Sequence, residues 1–211
     1  MQIMAEALGL MLPGTALMPS TAPELKEASY QAGKQLMDLI SKGIKTSDIV
    51  TKESFENAIM VHAAISGSTN SLLHIPAIAK EFGIEIDGDT FDRLHRGAHY
   101  LLNIRPAGEW PAQFFYYAGG VPTINGRDQG YAASGCYDSD RKTLGENLEE
   151  AEENGFYDKC QSYLDQWNLK REDVIRPFDR PFGTDGSIAI LKGNLAPDGA
   201  VVKHSSAKRD V

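Results

Sequence analysis

Apolar residues recur every three or four positions along much of the chain, which is the period of a helix with one buried face. This pattern predicts long helices over residues 24–42, 52–65 and 71–82. It predicts shorter helices over residues 1–10, 90–96, 112–118, 144–154 and 156–167. The first helix begins without a capping residue, which is typical of a piece of a longer protein.

The helix over residues 24–42 carries a long apolar stripe. The sequence Thr21-Ala22-Pro23-Glu24 lies at its start. This pattern predicts a capping box between Thr21 and Glu24, with Pro23 in the first turn. Gly43 is predicted to end the helix. The stripe is predicted to face the core, and it consists of Leu25, Ala28, Ala32, Leu36, Leu39 and Ile40.

Extended segments are fewer than helical ones. Residues 84–86 and 100–104 are short strand candidates, and residues 187–191 and 200–203 flank a turn-rich segment that predicts a hairpin. Residues 119–122 are predicted to break the helix before them. The Gly-, Asn-, Asp- and Ser-containing stretch over residues 123–140 is predicted to form a loop.

Two of the long helices meet at Ser66-Gly67-Ser68-Thr69-Asn70, which we call the corner. One interpretation is structural: Gly67 ends the first helix, and Ser68 or Thr69 caps the second. The other is functional: backbone N–H groups exposed at the start of the second helix bind an anion or an oxygen-rich ligand. On spacing alone the structural interpretation is favoured.

His74 follows the corner by one helical turn. Asn70 and His74 therefore share a helix face, which suits hydrogen bonding to a polyhydroxylated acid. No Asp or Glu is placed in the sequence to orient His74 as a base. The expected role of these side chains is therefore binding rather than proton transfer.

The charge of the chain excludes a broad nucleic-acid surface, because 29 acidic residues outnumber 21 Lys and Arg among its 211 residues. No run of about 18 apolar residues indicates a membrane span. The N-terminus lacks the basic start of a signal peptide. These features predict a cytoplasmic protein that binds neither nucleic acid nor membrane.

Cys136 and Cys160 are the two cysteines of the sequence. Neither lies in a CxxC pattern or near a histidine at metal-ligand spacing, so a complete iron–sulfur or metal site built by these cysteines is not expected. Two reduced thiols are favoured over a disulfide in an acidic chain of this kind.

Several phrases, in order along nearly the whole chain, resemble the dihydroxy-acid and sugar-acid dehydratase superfamily. They are Ala5–Leu10 with Leu12–Gly14, Phe55–Ala58, Gly67–Asn70 with His74, Ala118–Pro122, and Gly193–Gly199. Two further phrases, His62–Ala64 and His74–Ala79, are closer to the sugar-acid branch, whose members act on aldonates.

The resemblance implies a hydro-lyase that removes water from a 2,3-dihydroxy acid, here a sugar acid, to give a 2-keto acid. In that family an iron–sulfur cluster acts as the Lewis acid and Mg²⁺ binds the substrate. The family's cluster cysteines, Mg²⁺ ligands and catalytic serine have no counterpart in this sequence, so the chain alone is expected to bind no cofactor and to be inactive. The expected substrate-binding residues are Ser66, Ser68, Thr69, Asn70 and His74.

The resemblance also implies an α/β fold class. Residues 1–122 would form the helix-rich end of an N-terminal α/β domain, residues 123–176 a helical connector, and residues 177–211 the first strands of a C-terminal β-barrel domain. The full-length enzyme is expected to be a homo-oligomer. The alternative is a non-catalytic, truncated paralogue that binds a sugar acid or a partner protein. The coding sequence on either side distinguishes the two, because upstream cluster cysteines and a downstream serine favour the enzyme.

Overall fold

The computed structural model describes residues 1–126 and 133–206, and these residues form ten α-helices and one two-stranded sheet. The helices are α1 (Gln2–Ala7), α2 (Glu24–Ser41), α3 (Lys52–Ala64), α4 (Ser71–Glu81), α5 (Gly88–Arg96), α6 (Gln113–Tyr117), α7 (Gly120–Asn125), α8 (Leu144–Glu153), α9 (Phe156–Asp165) and α10 (Arg171–Val174). The strands are β1 (Ala189–Gly193) and β2 (Ala196–Val202). Every helix that the apolar period predicts is confirmed, and none in the described ranges combines the length and apolar character needed to cross a membrane.

Helix α3 lies at the centre of the fold. Phe55, Ile59 and Ala63 are fully buried, and the helix packs against α1, α5 and α7. Thr51 fixes its start, since its hydroxyl accepts the Ser54 N–H (3.3 Å) while Ser54 Oγ accepts the Thr51 N–H (2.8 Å). The corner therefore follows directly after a helix that is capped at its start and packed in the core.

Helix α2 differs from its prediction in two respects. None of its 18 residues is buried, so the stripe from Leu25 to Ile40 does not face a core. The predicted capping box is also wrong: Pro23 occupies the N-cap position in a helical conformation, with no side-chain cap. A turn in which Leu25 N–H donates to Ala22 O precedes the helix, and Thr21 therefore lies outside the capping position.

The C-terminal hairpin is confirmed. Strands β1 and β2 are antiparallel with Ala189 opposite Val202, and β1 packs against α5. The predicted strands over residues 84–86 and 100–104 are wrong, because the first has no strand partner and the second makes only single-residue bridges, such as Tyr100 with Gly183. The described chain is thus helix-rich with a small antiparallel sheet, which is compatible with the α/β class.

The predicted break after α6 is confirmed, because α6 ends at Tyr117 and Gly119 takes a left-handed conformation with φ +91. The residues after Gly119 are not a loop, however, since α7 begins directly at Gly120. A Cβ at Gly119 would also overlap the Thr123 hydroxyl. The predicted loop over residues 123–140 is therefore helical up to Asn125, and its part over residues 127–132 lies outside the described residues.

Candidate functional site

The first half of the corner ends α3 in a different way from the prediction. Ser66, at φ +55, takes the left-handed position that glycine usually occupies, and the Gly67 N–H donates to the His62 carbonyl (2.9 Å). Gly67 is required for another reason, since a Cβ at this position would overlap the His62 imidazole. The glycine therefore serves close packing rather than chain reversal.

The second half of the corner starts α4 without free helical donors. The N–H groups of Ser71 and Leu72 donate to the carbonyls of Ser68 and Thr69 at 3.0 and 3.1 Å. Asn70 is the N-cap residue, in a helical conformation and with no side-chain cap bond. Both predictions for this turn are therefore wrong: Ser68 or Thr69 is not the N-cap, and the tight first turn satisfies these N–H groups locally.

The predicted binding side chains nevertheless lie on one surface. Ser68, Thr69, Asn70 and His74 are exposed, while Ser66 is half-buried. The His74 N–H donates to Asn70 O (3.0 Å), so the two side chains stand one turn apart at the start of α4. The corner thus offers hydroxyl, amide and imidazole groups to a ligand through side chains rather than backbone.

A small cavity of about 140 Å³ divides the predicted residues into two groups. Ser66 and Ser68 line it together with Arg105. Thr69, Asn70 and His74 do not line it. The structure therefore brings two of the five predicted residues to a concave surface and leaves the other three exposed outside it.

Ser66 is also held by residues 186–206, which we call the C-terminal segment. Lys203 Nζ donates to the Ser66 carbonyl (2.8 Å), and the Ser66 and Ser205 hydroxyls share a hydrogen bond (2.6 Å). Partial burial lowers the pKa of Lys203. These contacts join residues 137 and 139 positions apart in the sequence, so the corner is fixed by a distant segment as well as by α3.

Two buried histidines are linked to the corner by hydrogen bonds. His62 Nε2 lies 2.9 Å from the Ser68 carbonyl, and His62 Nδ1 lies 3.2 Å from His95 Nε2. Burial lowers the pKa of His62 to about 4 and that of His95 to about 3, so both rings are neutral at pH 7. The sequence placed His62 in a helix and in a phrase that resembles the family, and it gave His95 no role. The contact between them was not predictable, because the two residues are 33 positions apart.

A larger cavity of about 320 Å³ lies on the opposite side of α1, where Glu6, Asn57 and Asp138 line it. The Glu6 carboxylate is buried and accepts the N–H groups of Gly14 (2.8 Å) and Ala16 (2.6 Å). Burial raises the pKa of Glu6 to about 7, although both hydrogen bonds oppose this shift. The one sequence signal for this group was a carboxylate in an otherwise apolar helix.

The described residues do not fit a resident metal or iron–sulfur cluster. They contain no group of three or more His, Cys, Asp or Glu side chains placed to hold a metal ion. Burial raises the pKa of the Cys160 thiol to about 11, and also raises that of Cys136, which accepts a hydrogen bond from Asn57. Both environments favour the thiol over the thiolate that binds metal.

The sequence matches two parts of one protein family. The dihydroxy-acid/6-phosphogluconate dehydratase N-terminal domain matches residues 1–147, and the C-terminal domain matches residues 173–211. Among similar proteins, the dihydroxy-acid dehydratase of Caldicellulosiruptor bescii is 38% identical and that of Sulfurisphaera tokodaii is 39% identical, over 98% and 99% of this chain. The L-arabinonate dehydratase of Rhizobium leguminosarum is 37% identical over 96%. The chain spans 35%, 35% and 33% of these proteins, about a third of their length.

Proposed function

This chain belongs to the dihydroxy-acid/6-phosphogluconate dehydratase family, and on that premise we propose that it serves a hydro-lyase converting a 2,3-dihydroxy acid into a 2-keto acid. The observation that carries the proposal is the match of both family domains along one chain, in the family's order. The similar proteins, named dihydroxy-acid dehydratase and L-arabinonate dehydratase, share this reaction class.

Within that class we propose a sugar acid as the substrate. A sugar acid carries hydroxyl groups along its chain, and each can both donate and accept a hydrogen bond. The corner and the first turn of α4 present matching groups, with Ser68 and Thr69 hydroxyls, the Asn70 amide and the His74 imidazole all exposed. Because a site built for hydroxyl groups leaves its polar atoms unpaired with an apolar analogue, it discriminates strongly against one.

The part of this chain in the reaction is to bind and orient the substrate. Ser66 and Ser68 would contact it at the cavity beside Arg105, and Asn70 and His74 would contact it from α4. The iron–sulfur cluster and Mg²⁺ of the full-length enzyme are proposed to be held by residues outside this chain. The full-length protein is further proposed to be a cytoplasmic homo-oligomer.

Asn70→Ala and His74→Ala in the full-length enzyme test the proposal. We expect each to lower kcat/KM for an aldonate about tenfold, which is the loss of one good hydrogen bond to substrate. Lys80→Ala is the matched control, since Lys80 is exposed near the far end of the same helix. Unchanged kinetics for both corner variants, measured on a panel of aldonates and branched dihydroxy acids, would remove these residues from the site.

A further inference from the structure

The two histidines beneath the corner have their tautomers set by a backbone donor. The Ile188 N–H donates to His95 Nδ1 (3.2 Å). A ring nitrogen that accepts a hydrogen bond carries no proton, so neutral His95 must carry its proton on Nε2. The backbone at the start of the C-terminal hairpin therefore decides which nitrogen of His95 is a donor.

The second ring follows from the first. His95 Nε2–H lies 3.2 Å from His62 Nδ1, which must accept, so His62 carries its own proton on Nε2. That proton is directed to the Ser68 carbonyl at 2.9 Å. Donation thus runs in one direction, from Ile188 through His95 and His62 to Ser68. We call His62 and His95 the histidine pair.

Two glycines make room for the histidine pair. A Cβ at Gly67 would overlap the His62 ring. A Cβ at Gly186 would lie 2.7 Å from the Ala63 Cβ, 2.9 Å from the His95 carbonyl oxygen and 3.0 Å from His95 Nδ1. Neither glycine has a positive φ, so space rather than backbone conformation requires them. One glycine belongs to the corner and the other to the C-terminal segment.

The charges around the pair favour its neutral form. Burial is the main cause that lowers the pKa of both rings. The Lys203 charge adds to it at His62 and His204 adds to it at His95, while Asp92 acts in the opposite direction at His95. A proton on His62 Nδ1 would also point at His95 Nε2–H, so protonation would break the line of donors.

We propose that His62 and His95 are positioning residues that set the direction of the corner from the C-terminal segment. The line of donors fixes the Ser68 carbonyl, and this fixes the direction in which the Ser68, Thr69 and Asn70 side chains leave the corner. An apolar ring could fill the same space, but it would leave the Ile188 N–H and the Ser68 carbonyl without these partners. The consequence for substrate rests on the proposed function, whereas the line of donors does not.

Two substitutions at one position separate positioning from packing. In His95→Gln the side-chain amide reaches the place of Nε2 and can still donate to His62. In His95→Asn the amide reaches only the place of Nδ1, so the Ile188 bond is kept and the donor to His62 is lost. We expect His95→Asn to raise KM for the aldonate about tenfold in the full-length enzyme, and His95→Gln to stay within about threefold.

Ring-nitrogen chemical shifts of ¹⁵N-histidine-labelled chain test the geometry without any variant. We expect protonated Nε2 and unprotonated Nδ1 in both His62 and His95 at pH 7. A proton on Nδ1 of either ring, or equal KM values for the Asn and Gln variants, would overturn the inference. A full-length enzyme inactive on every dihydroxy acid would defeat the proposed function alone. The inference would then be decided by the tautomers, and by amide exchange at residues 68–70, expected to be faster in His95→Asn than in His95→Gln.

Discussion

Helices α2 and α3 were both predicted from apolar residues at helical spacing, but they have opposite environments. Helix α3 has 13 residues and buries nine of them, whereas α2 has 18 residues and buries none. In α2 the side chains of Leu36, Met37 and Ile40 are 57%, 63% and 60% exposed. The comparison teaches that an apolar period establishes a helix with an apolar face, and leaves open whether the same chain covers that face.

The neighbours of the two helices explain the difference. Helix α3 is surrounded by α1, α5 and α7, so most of its faces meet a partner. Helix α2 is attached mainly through polar contacts, including Tyr163 OH to Glu24 (2.6 Å) and Gln35 Nε2 to Ser139 O (2.8 Å). Part of its apolar side lines a groove of about 310 Å³ with Leu12 and Met18.

The largest expected difference between the two helices is in the loss of unfolding free energy when the same substitution, Ile→Ala, is made in each. Ile59 in α3 is 0% exposed and Ile40 in α2 is 60% exposed. Ile59→Ala should lower the free energy of unfolding by about 2–5 kcal/mol, because it leaves a cavity in a packed core. Ile40→Ala should change it by less than about 0.5 kcal/mol. Urea unfolding of the two variants measures both, and equal losses would show that α2 is covered in solution.

A second difference concerns pH, because ionisable groups are buried around α3 and exposed on α2. A histidine whose pKa is lower in the folded than in the unfolded state contributes stability at pH values above its unfolded pKa. This contribution is lost as the pH falls from the unfolded pKa to the folded pKa. For His62 the window runs from pH 6.5 down to about 4. This difference in pKa corresponds to about 3 kcal/mol of unfolding free energy, which acidification through the window should remove through His62 alone.

Glu6 acts in the opposite direction. Its pKa is raised from 4.5 to about 7, so its contribution is full below pH 4.5 and is lost as the pH rises through 7. The two trends oppose each other between pH 4.5 and 6.5, so the acid loss in the unsubstituted chain should be partly offset there. Asp138, whose pKa burial raises to about 6, acts in the same direction as Glu6. Glu6→Gln should expose the acid loss from the histidine pair in urea unfolding at several pH values. The exposed-site control Glu27→Gln should follow the unsubstituted chain; a Glu6→Gln profile parallel to it would contradict this balance.

The smallest expected difference lies at the helix starts. Thr51 caps α3, so Thr51→Ala should cost about 1 kcal/mol of unfolding free energy. Thr21 has the sequence pattern of a cap but lies outside the N-cap of α2, and Thr21→Ala should cost less than about 0.5 kcal/mol. Thermal unfolding of the two variants compares them, and a larger loss for Thr21→Ala would restore the capping box that the sequence suggests.

Local chemistry explains which parts of the fold were predictable. Thr51 and Thr143 cap their helices, and the hairpin forms between strands close in sequence, so each signal lies within a few residues. The role of Gly67 was not predictable, because it depends on the packed position of the His62 ring. His95 and its Ile188 partner are separated by 93 positions, which no helical or strand period records.

The candidate site divides in the same way. The clustering of hydroxyl, amide and imidazole groups at the corner followed from the sequence, and the structure places these groups at one helix junction. The contacts that hold this junction could not be predicted from the sequence, because Lys203 and Ser205 bond to Ser66 from a distant part of the chain. Binding of substrate by Ser66, Ser68, Thr69, Asn70 and His74 stays a prediction.

The central claim, that the corner binds the dihydroxy acid, is tested most directly by hydrogen exchange in the full-length enzyme with and without a saturating aldonate. Peptides covering residues 66–74 should exchange more slowly with the ligand, while peptides covering α2 should not change. Ligand-independent exchange at residues 66–74, under conditions where the enzyme is turning over that aldonate, would contradict the claim.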